Sequence, residues 1–231
     1  PVVLDACNNP LLPDGPPQVI NDPSPLTCEG TVTYRYTYTE CAGNTSTWDF
    51  VYTIVQLPFS ISAPAGASIV NCIADAVAPT SDILPVVEDA CGNLLSPVGD
   101  PSIIESPDPL TCEGTRTYRY TYSDCDNNTA SWDFVYTISI PSFVISTPAG
   151  SATVNCISEV TVPGVTELGD VRDACGNLLS PIGDPVIIND PATISCEGTI
   201  TYRYSFRDCA DHIATWDYVY RIEVAPFVIT E

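Results

Sequence analysis

Lysine and methionine are absent from this chain, and histidine occurs once, at His212. All 7 basic residues are Arg, against 29 acidic residues, for a net charge of -22. Nucleic acid and anionic membrane surfaces are therefore not expected as partners, because both would be repelled. No run of 18 apolar residues occurs, so no helical membrane span is expected. No stretch holds a helical period over three turns, and no Cys-x-x-Cys pair exists to share zinc with the lone His. The first residues lack a signal-peptide pattern, so any targeting signal is expected outside residues 1–231.

What the chain does have is repetition. The 11 Cys fall into register: Cys7, Cys91 and Cys175 are 84 residues apart, as are Cys28, Cys112 and Cys196, Cys41, Cys125 and Cys209, and Cys72 and Cys156. A constant period without insertions marks a tandem array. The expected division is a truncated first copy over 1–56 that lacks its first strand, complete copies over 57–140 and 141–224, and the start of a further copy over 225–231. In that last piece Pro226-Phe227-Val228-Ile229 echoes Phe143-Val144-Ile145. The chain thus reads as a window on a longer array, with about 21 residues missing before the next copy would regain register. Only Ile140-Pro141-Ser142 links one complete copy to the next, so a semi-stiff rod is expected.

Within a copy the strongest signal is a pair of aromatic strands. Tyr118, Tyr120 and Tyr122 alternate with Thr117, Arg119 and Thr121, and Trp132, Phe134, Tyr136 and Ile138 alternate with polar or β-branched neighbours. Period-two alternation of this composition predicts paired strands with one buried face. In the third copy, ahead of the same pair of strands, Phe143 to Asn155 reads as a strand kinked at Pro148-Ala149-Gly150, followed by a Pro-punctuated second strand. A turn at Cys175-Gly176-Asn177 suits positive φ, with Asn8 standing for the Gly in the first copy. Leu178 to Ile188 then supplies a turn and a further strand. About seven short strands per copy predict an all-β, immunoglobulin-like Greek-key sandwich.

Regular single Cys in small β units read as disulfides and point to an oxidising, extracytoplasmic setting. In such a sandwich the loops holding Cys91 and Cys125 lie at one end, and Cys72 and Cys112 at the other. The expected bridges are therefore Cys91–Cys125, Cys72–Cys112, Cys175–Cys209, Cys156–Cys196 and Cys7–Cys41, with Cys28 left unpaired. Four Cys per copy allow three connectivities. Each such bridge would close a loop of roughly 35–40 residues and contribute about 3–4 kcal/mol.

Catalytic residues are not expected. His212 occupies a loop position held by Asn44 and Asn128 in the other copies, and no nucleophile motif accompanies it. The acidic loops have two readings. Asp89, Asn93, Asp124 and Asp126 with Asn127, and Asp173, Asn177, Asp208 and Asp211 in the next copy, are oxygen donors of the kind Ca²⁺ takes. The first copy lacks a matching cluster, and Asp and Asn beside a Cys also serve as plain turn formers. No other cofactor is expected. Arg35, Arg119 and Arg203 recur opposite Asp49, Asp133 and Asp217, which predicts a cross-strand ion pair in each copy.

Asp-Ala-Cys-Gly-Asn, Cys-Glu-Gly-Thr, Tyr-Arg-Tyr-Thr-Tyr-x-x-Cys-x-x-Asn and Trp-Asp-x-Val-Tyr-x-Ile together resemble the hyalin-repeat-like (HYR-like) modules of Bacteroidetes surface proteins. The resemblance covers the whole chain. Such modules occur in very long secreted adhesins, including the giant gliding-motility adhesin of flavobacteria exported by the type IX system. The resemblance implies an immunoglobulin-like sandwich without enzymatic activity, secreted to the cell surface. It also implies a structural stalk of a surface adhesin or filament, with neighbouring copies as first partners. The alternative is a repeated module that binds glycan or another surface polymer by avidity. Surface polysaccharide, other surface proteins and lateral self-association complete the expected partners.

Overall fold

The computed structural model describes residues 1–164, 166 and 168–226. The restart expected over 225–231 lies outside the described residues from 227 onward. In the first copy the strands are β1 (Val3–Leu4), β2 (Pro10–Leu11), β3 (Gln18–Asp22), β4 (Gly30–Thr39) and β5 (Thr45–Ile54). The second copy has β6 (Gly66–Val70), β7 (Val87–Glu88), β8 (Leu94–Leu95), β9 (Ser102–Ser106), β10 (Gly114–Ser123) and β11 (Thr129–Ile138). The third repeats it as β12 (Gly150–Val154), β13 (Val171–Arg172), β14 (Leu178–Leu179), β15 (Val186–Asp190), β16 (Gly198–Arg207) and β17 (Ile213–Ile222). The chain is all-β, built of tandem immunoglobulin-like sandwich copies.

The third copy shows how a copy is built. Its sheet runs β15-β16-β17-β12, with β12 parallel to β17 from Gly150↔Tyr218 to Val154↔Ile222. The aromatic strands β16 and β17 pair antiparallel from Gly198↔Ile222 to Arg207↔Ile213. Their period-two alternation turns Tyr202, Tyr204, Phe206, Trp216, Tyr218 and Tyr220 onto one buried face. The order β9-β10-β11-β6 recurs in the second copy.

What covers that face differs from the expected second sheet of regular strands. Phe143, Leu168 and Val171 pack on it, from segments that are mostly irregular, and β13 and β14 form only a two-residue hairpin. The expected strand over Phe143 to Asn155 shortens to Gly150–Val154, and the Pro-punctuated second strand reduces to Val171–Arg172. Proline explains both, since it gives a ladder no N–H. The proline carbonyls are used instead. Trp216 Nε1 donates to the Pro148 carbonyl at 2.8 Å, and the Tyr204 hydroxyl donates to that of Pro163. In the second copy Trp132 donates to Pro64 at 2.7 Å and Tyr120 to Pro79 at 3.1 Å. Each aromatic thus buries its ring and satisfies its polar tip on the covering segment.

The first copy has β3-β4-β5 and the β1-β2 hairpin, with Val3 and Leu11 beside the buried Tyr38, but no counterpart of Phe143 or Leu168, so the rest of its aromatic face stands open: Trp48 is 36% exposed, against 6% for Trp132 and 3% for Trp216. By compactness the chain divides into two units that cut through the second copy. One comprises Pro1–Ala65, Pro79–Ser102 and Tyr118–Asp133, the other Gly66–Ala78, Ile103–Thr117 and Phe134–Glu231.

The ion pairs form as the sequence predicts. Arg203 faces Asp217 across the ladder, with Nε to Oδ1 at 2.8 Å and Nη2 to Oδ2 at 2.7 Å. Arg35–Asp49 and Arg119–Asp133 share these distances. All three pairs are partly solvent-exposed, so each tunes the sheet surface more than it stabilises the fold.

Candidate functional site: the cysteine loops and the staples between copies

In each copy two of the cysteines sit on tight loops, of two kinds closed by the same device. In the first kind Asp89 starts Asp-Ala-Cys-Gly-Asn. Its Oδ1 accepts the N–H of Cys91 and of Asn93 at 2.8 Å, and its Oδ2 accepts Asn93 Nδ2 at 2.9 Å. Asp5 and Asp173 do the same for Cys7, Asn9, Cys175 and Asn177. The second kind is the turn between the two aromatic strands. There Asp124 accepts Asp126 N–H, Asn128 N–H and Asn128 Nδ2 at 2.9–3.0 Å. Asp208 accepts Ala210 N–H, His212 N–H and His212 Nδ1, all at 2.9 Å. The fourth residue of each loop adopts positive φ: Gly92 at 82°, Gly176 at 84°, Asn8 at 62°, Asn127 at 64° and Asp211 at 65°. Asn, Asp and Gly are the residues that tolerate this region.

This geometry accounts for the acidic loops as turn closures beside a cysteine. The carboxylates of Asp89, Asp124, Asp173 and Asp208 are nearly buried and saturated by donors of their own loops. The Asn93 and Asn177 amides point back at those aspartates, and Asp126 offers its backbone N–H to Asp124. Asp211 lies 3.5 Å from Arg207. Among the described residues no group of three or more His, Cys, Asp or Glu stands placed to hold a metal ion. His212 fills the amide's role, bridging to Asp208 from a partly exposed position. The Asn93 side-chain hydrogen bond, ahead of the loop N–H groups, holds the Asp89 carboxyl below its ordinary pKa. At Asp208 burial pushes the pKa up, but the hydrogen bonds from His212 and Ala210 outweigh it and the net shift is downward.

The disulfides correct the pairing expected from the sequence. Cys28 bonds to Cys125, Cys72 to Cys175 and Cys112 to Cys209, each with Cα atoms 5.7 Å apart. Every one joins one copy to the next. Cys72–Cys112, Cys91–Cys125 and Cys175–Cys209 are therefore not formed, and Cys28 is not unpaired. Cys7–Cys41 and Cys156–Cys196 are not formed either, and Cys7, Cys41, Cys91, Cys156 and Cys196 are exposed thiols. The reason lies in which ends meet. In the third copy Val154 and Gly198 both pair with Ile222, so Cys156 and Cys196 sit beyond one end of the sheet. Cys209 sits at the opposite end, in the β16–β17 turn, where the Pro181↔Phe206 bridge also brings the chain that leaves the Cys175 loop. Cysteines at one end of a copy face the loops at the other end of the following copy, not each other. These bridges close loops of 97 or 103 residues, each worth about 4–5 kcal/mol in the chain-entropy model.

The Cys-Glu-Gly-Thr signature sits on this junction, and its Glu and Gly have roles that sequence reasoning missed. Glu113 Oε1 accepts the N–H of Ile140 at 2.8 Å, and Glu29 Oε1 that of Gln56 at 2.9 Å, which fixes the chain as it leaves the last strand. Gly114, at φ 152°, passes so close to the Ser106 carbonyl that a Cβ would stand 2.3 Å from it. The recurrence of the triplet at Cys28, Cys112 and Cys196 was the available signal.

Fold and junction define a class: tandem immunoglobulin-like β-sandwich copies, each covalently tied to the next. Disulfides in this number belong to oxidising, extracytoplasmic compartments. The model of the HYR-like domain with 4 cysteines matches residues 1–54, 60–138 and 144–222, and the chain belongs to that family. No curated relative matches it. Among solved structures, mouse clustered PcdhgC3 EC1-3 is similar at 10% identity, over 84% of this chain and 77% of that chain, with a TM-score of 0.27. The Bacteroides ovatus mixed-linkage glucan utilization locus SGBP-B, in complex with a mixed-linkage heptasaccharide, is similar at 17% identity, over 86% of this chain and 54% of that chain, with a TM-score of 0.14. At such TM-scores neither superposition establishes a shared fold. No helix among the described residues is long and apolar enough to cross a membrane.

Proposed function

We propose that this chain is a structural spacer, a segment of the stalk of a long secreted surface adhesin. The observation that carries the reading is the covalent tie between successive copies through Cys28–Cys125, Cys72–Cys175 and Cys112–Cys209. A module that only displays a binding loop has no need of a bond to its neighbour, whereas a load-bearing array does. The aromatic residues that would stack on sugar rings are buried in the two complete copies, which weighs against a repeated glycan site. Resemblance to modules of Bacteroidetes surface proteins supports a cell-surface setting of the gliding-adhesin kind, reached by type IX secretion, with no catalytic role.

Two measurements test the reading. Antibodies against the chain should label filaments on intact cells, and the immobilised chain should retain no surface polysaccharide or purified glycan. Saturable binding of one glycan, strengthening with the number of copies, would replace the spacer with the avidity module.

A further inference from the structure

Set position against position, the copies sort their exposed apolar side chains into two groups. Most do not recur: Ile69 is matched by Thr153, Val144 by Ser60 and Ile213 by Thr129. Among the described residues one position is apolar and more than half exposed in all three copies, at Val19 (54%), Ile103 (58%) and Ile187 (57%). An isoleucine follows each time, as Ile20, Ile104 and Ile188. These pairs lie in β3, β9 and β15, strands of 5 residues that each stand last in their sheet. β3 pairs antiparallel with β4, and β15 with β16, and no strand lies on the other side. In such a pair every second residue turns its N–H and C=O away from its partner, so the outer edge carries unpaired backbone groups. The second copy has a neighbouring copy on each side within the chain, and Ile103 and Ile104 are as exposed there as Ile187 and Ile188 in the third.

We propose that this edge is a docking strip for another protein: an extended segment of about five residues, apolar at alternate positions and flanked by Lys or Arg, which adds to the sheet as a further strand. Its length follows from proline. Pro17 and Pro23, Pro101 and Pro107, and Pro185 and Pro191 bracket the strand in the three copies, and proline gives a ladder no N–H. Its apolar character follows from the register. Ile187 lies opposite Tyr202 and Ile188 opposite Thr201, so the two side chains project to opposite faces, and a guest strand meets an aliphatic group on each.

The charge of its flanks follows from the acids at the strand ends. Asp100 and Asp184 precede the strand in the second and third copies, and Asp22 and Asp190 close it in the first and third, all of them exposed. The cations opposite the first strand residue are already used: Arg35 faces Gln18 but pairs with Asp49, and Arg203 faces Val186 but pairs with Asp217. A second copy of this chain would bring its own charge of -22 and the same acids to the edge, so it is the poorer guest. The inference concerns the sheet edge and holds whether or not the array is a stalk, so its failure and that of the spacer reading are separate.

The probe is a fluorescent peptide with Val-Thr-Ile-Thr-Val between two Lys at each end, titrated into the oxidised chain at about 0.15 M salt. The expected result is saturable binding, with amide NMR shifts confined to β3, β9, β15 and the strands beside them. The same peptide N-methylated through its apolar stretch keeps its charge but loses its donors, and should bind about tenfold more weakly, as should a version with Glu for Lys. The V19T/I103T/I187T variant, altered only at exposed side chains, should melt as wild type does and bind the Lys peptide about fivefold more weakly. No saturable binding, equal affinity for the N-methylated or Glu peptide, equal affinity of the variant, or shifts centred on β6 and β12 would each overturn the proposal. So would a chain that sediments as a dimer alone and as a monomer once the three residues are changed, since the guest would then be a second copy.

Discussion

At the scale of single residues, comparing one copy with another works as a built-in mutant series. Tyr122 is fully buried and its hydroxyl finds no hydrogen-bond partner, while the third copy places Phe206 at the equivalent position. An unpartnered buried hydroxyl costs about 1–3 kcal/mol. Tyr122→Phe is therefore expected to stabilise the fold by up to about 1 kcal/mol, once lost contacts are counted, and denaturant melts will show it. The sign is testable, since a clear loss of stability would mean that the hydroxyl is satisfied in solution. Asp208 gives a pH prediction. Its pKa is held below the ordinary carboxyl value in the folded state, so its contribution is complete above the unfolded pKa, about 3.9. That contribution drains away as the pH falls through the lower folded value. Thermal melts of wild type and Asp208→Asn should differ above about pH 4 and converge below it.

At the scale of elements, the junction and the strand ends explain motifs that looked merely repetitive. Gly114→Ala would drive a Cβ into the Ser106 carbonyl at 2.3 Å at a backbone angle that L-residues avoid. A loss of about 2–3 kcal/mol is expected, seen as a lower denaturant midpoint. A second device belongs to the second copy alone. Arg116 pairs with Glu105 through Nε at 2.9 Å and Nη2 at 2.7 Å, and its Nη1 reaches the carbonyls of Ile73 and Ala76 at 3.2 Å. The other copies have Val32 with Asn21 and Ile200 with Asn189 at these two positions. Arg116→Ile alone leaves a half-buried carboxylate without its partner. Arg116→Ile with Glu105→Asn is expected to be better tolerated than either single change, as a double-mutant cycle will register.

Legibility also differs at this scale. The aromatic strands were readable almost to their ends, because alternation is a property of neighbouring residues. The Asp-to-Asn loop closures were readable as turns for the same reason. The covering layer was not: Phe143 to Pro148 has the composition of a strand, but which backbone groups find a partner depends on proline carbonyls receiving Trp216 and Tyr204 from across the core.

At the scale of the molecule, the bridges reroute any pull on the chain ends. The shortest covalent path runs from the N-terminus to Cys28, across to Cys125, back along β10 to Cys112, and across to Cys209. The rest of the second copy and most of the third lie off that path. Between successive bridges about 13 residues bear the load, roughly 45 Å of extended backbone, against roughly 290 Å for 84 residues without bridges. Held by its ends and stretched, the oxidised chain should reach about 200 Å and the reduced chain about 780 Å. Equal lengths before and after reduction would show that the bridges do not carry force.

The sequence alone determined what depends on near neighbours: the period, the β class, the aromatic strands, the ion pairs and the closed loops around each cysteine. Only the tertiary structure decided which sulfur meets which. A tandem array looks the same after a shift of one period, so a cysteine in the next copy carries the same local signature as its counterpart in the same copy. Cys28 with Cys125 is the same pair of repeat positions as Cys28 with Cys41, one period apart. Local pattern cannot tell the two apart, and the choice falls to which end of one copy rests on which end of the next.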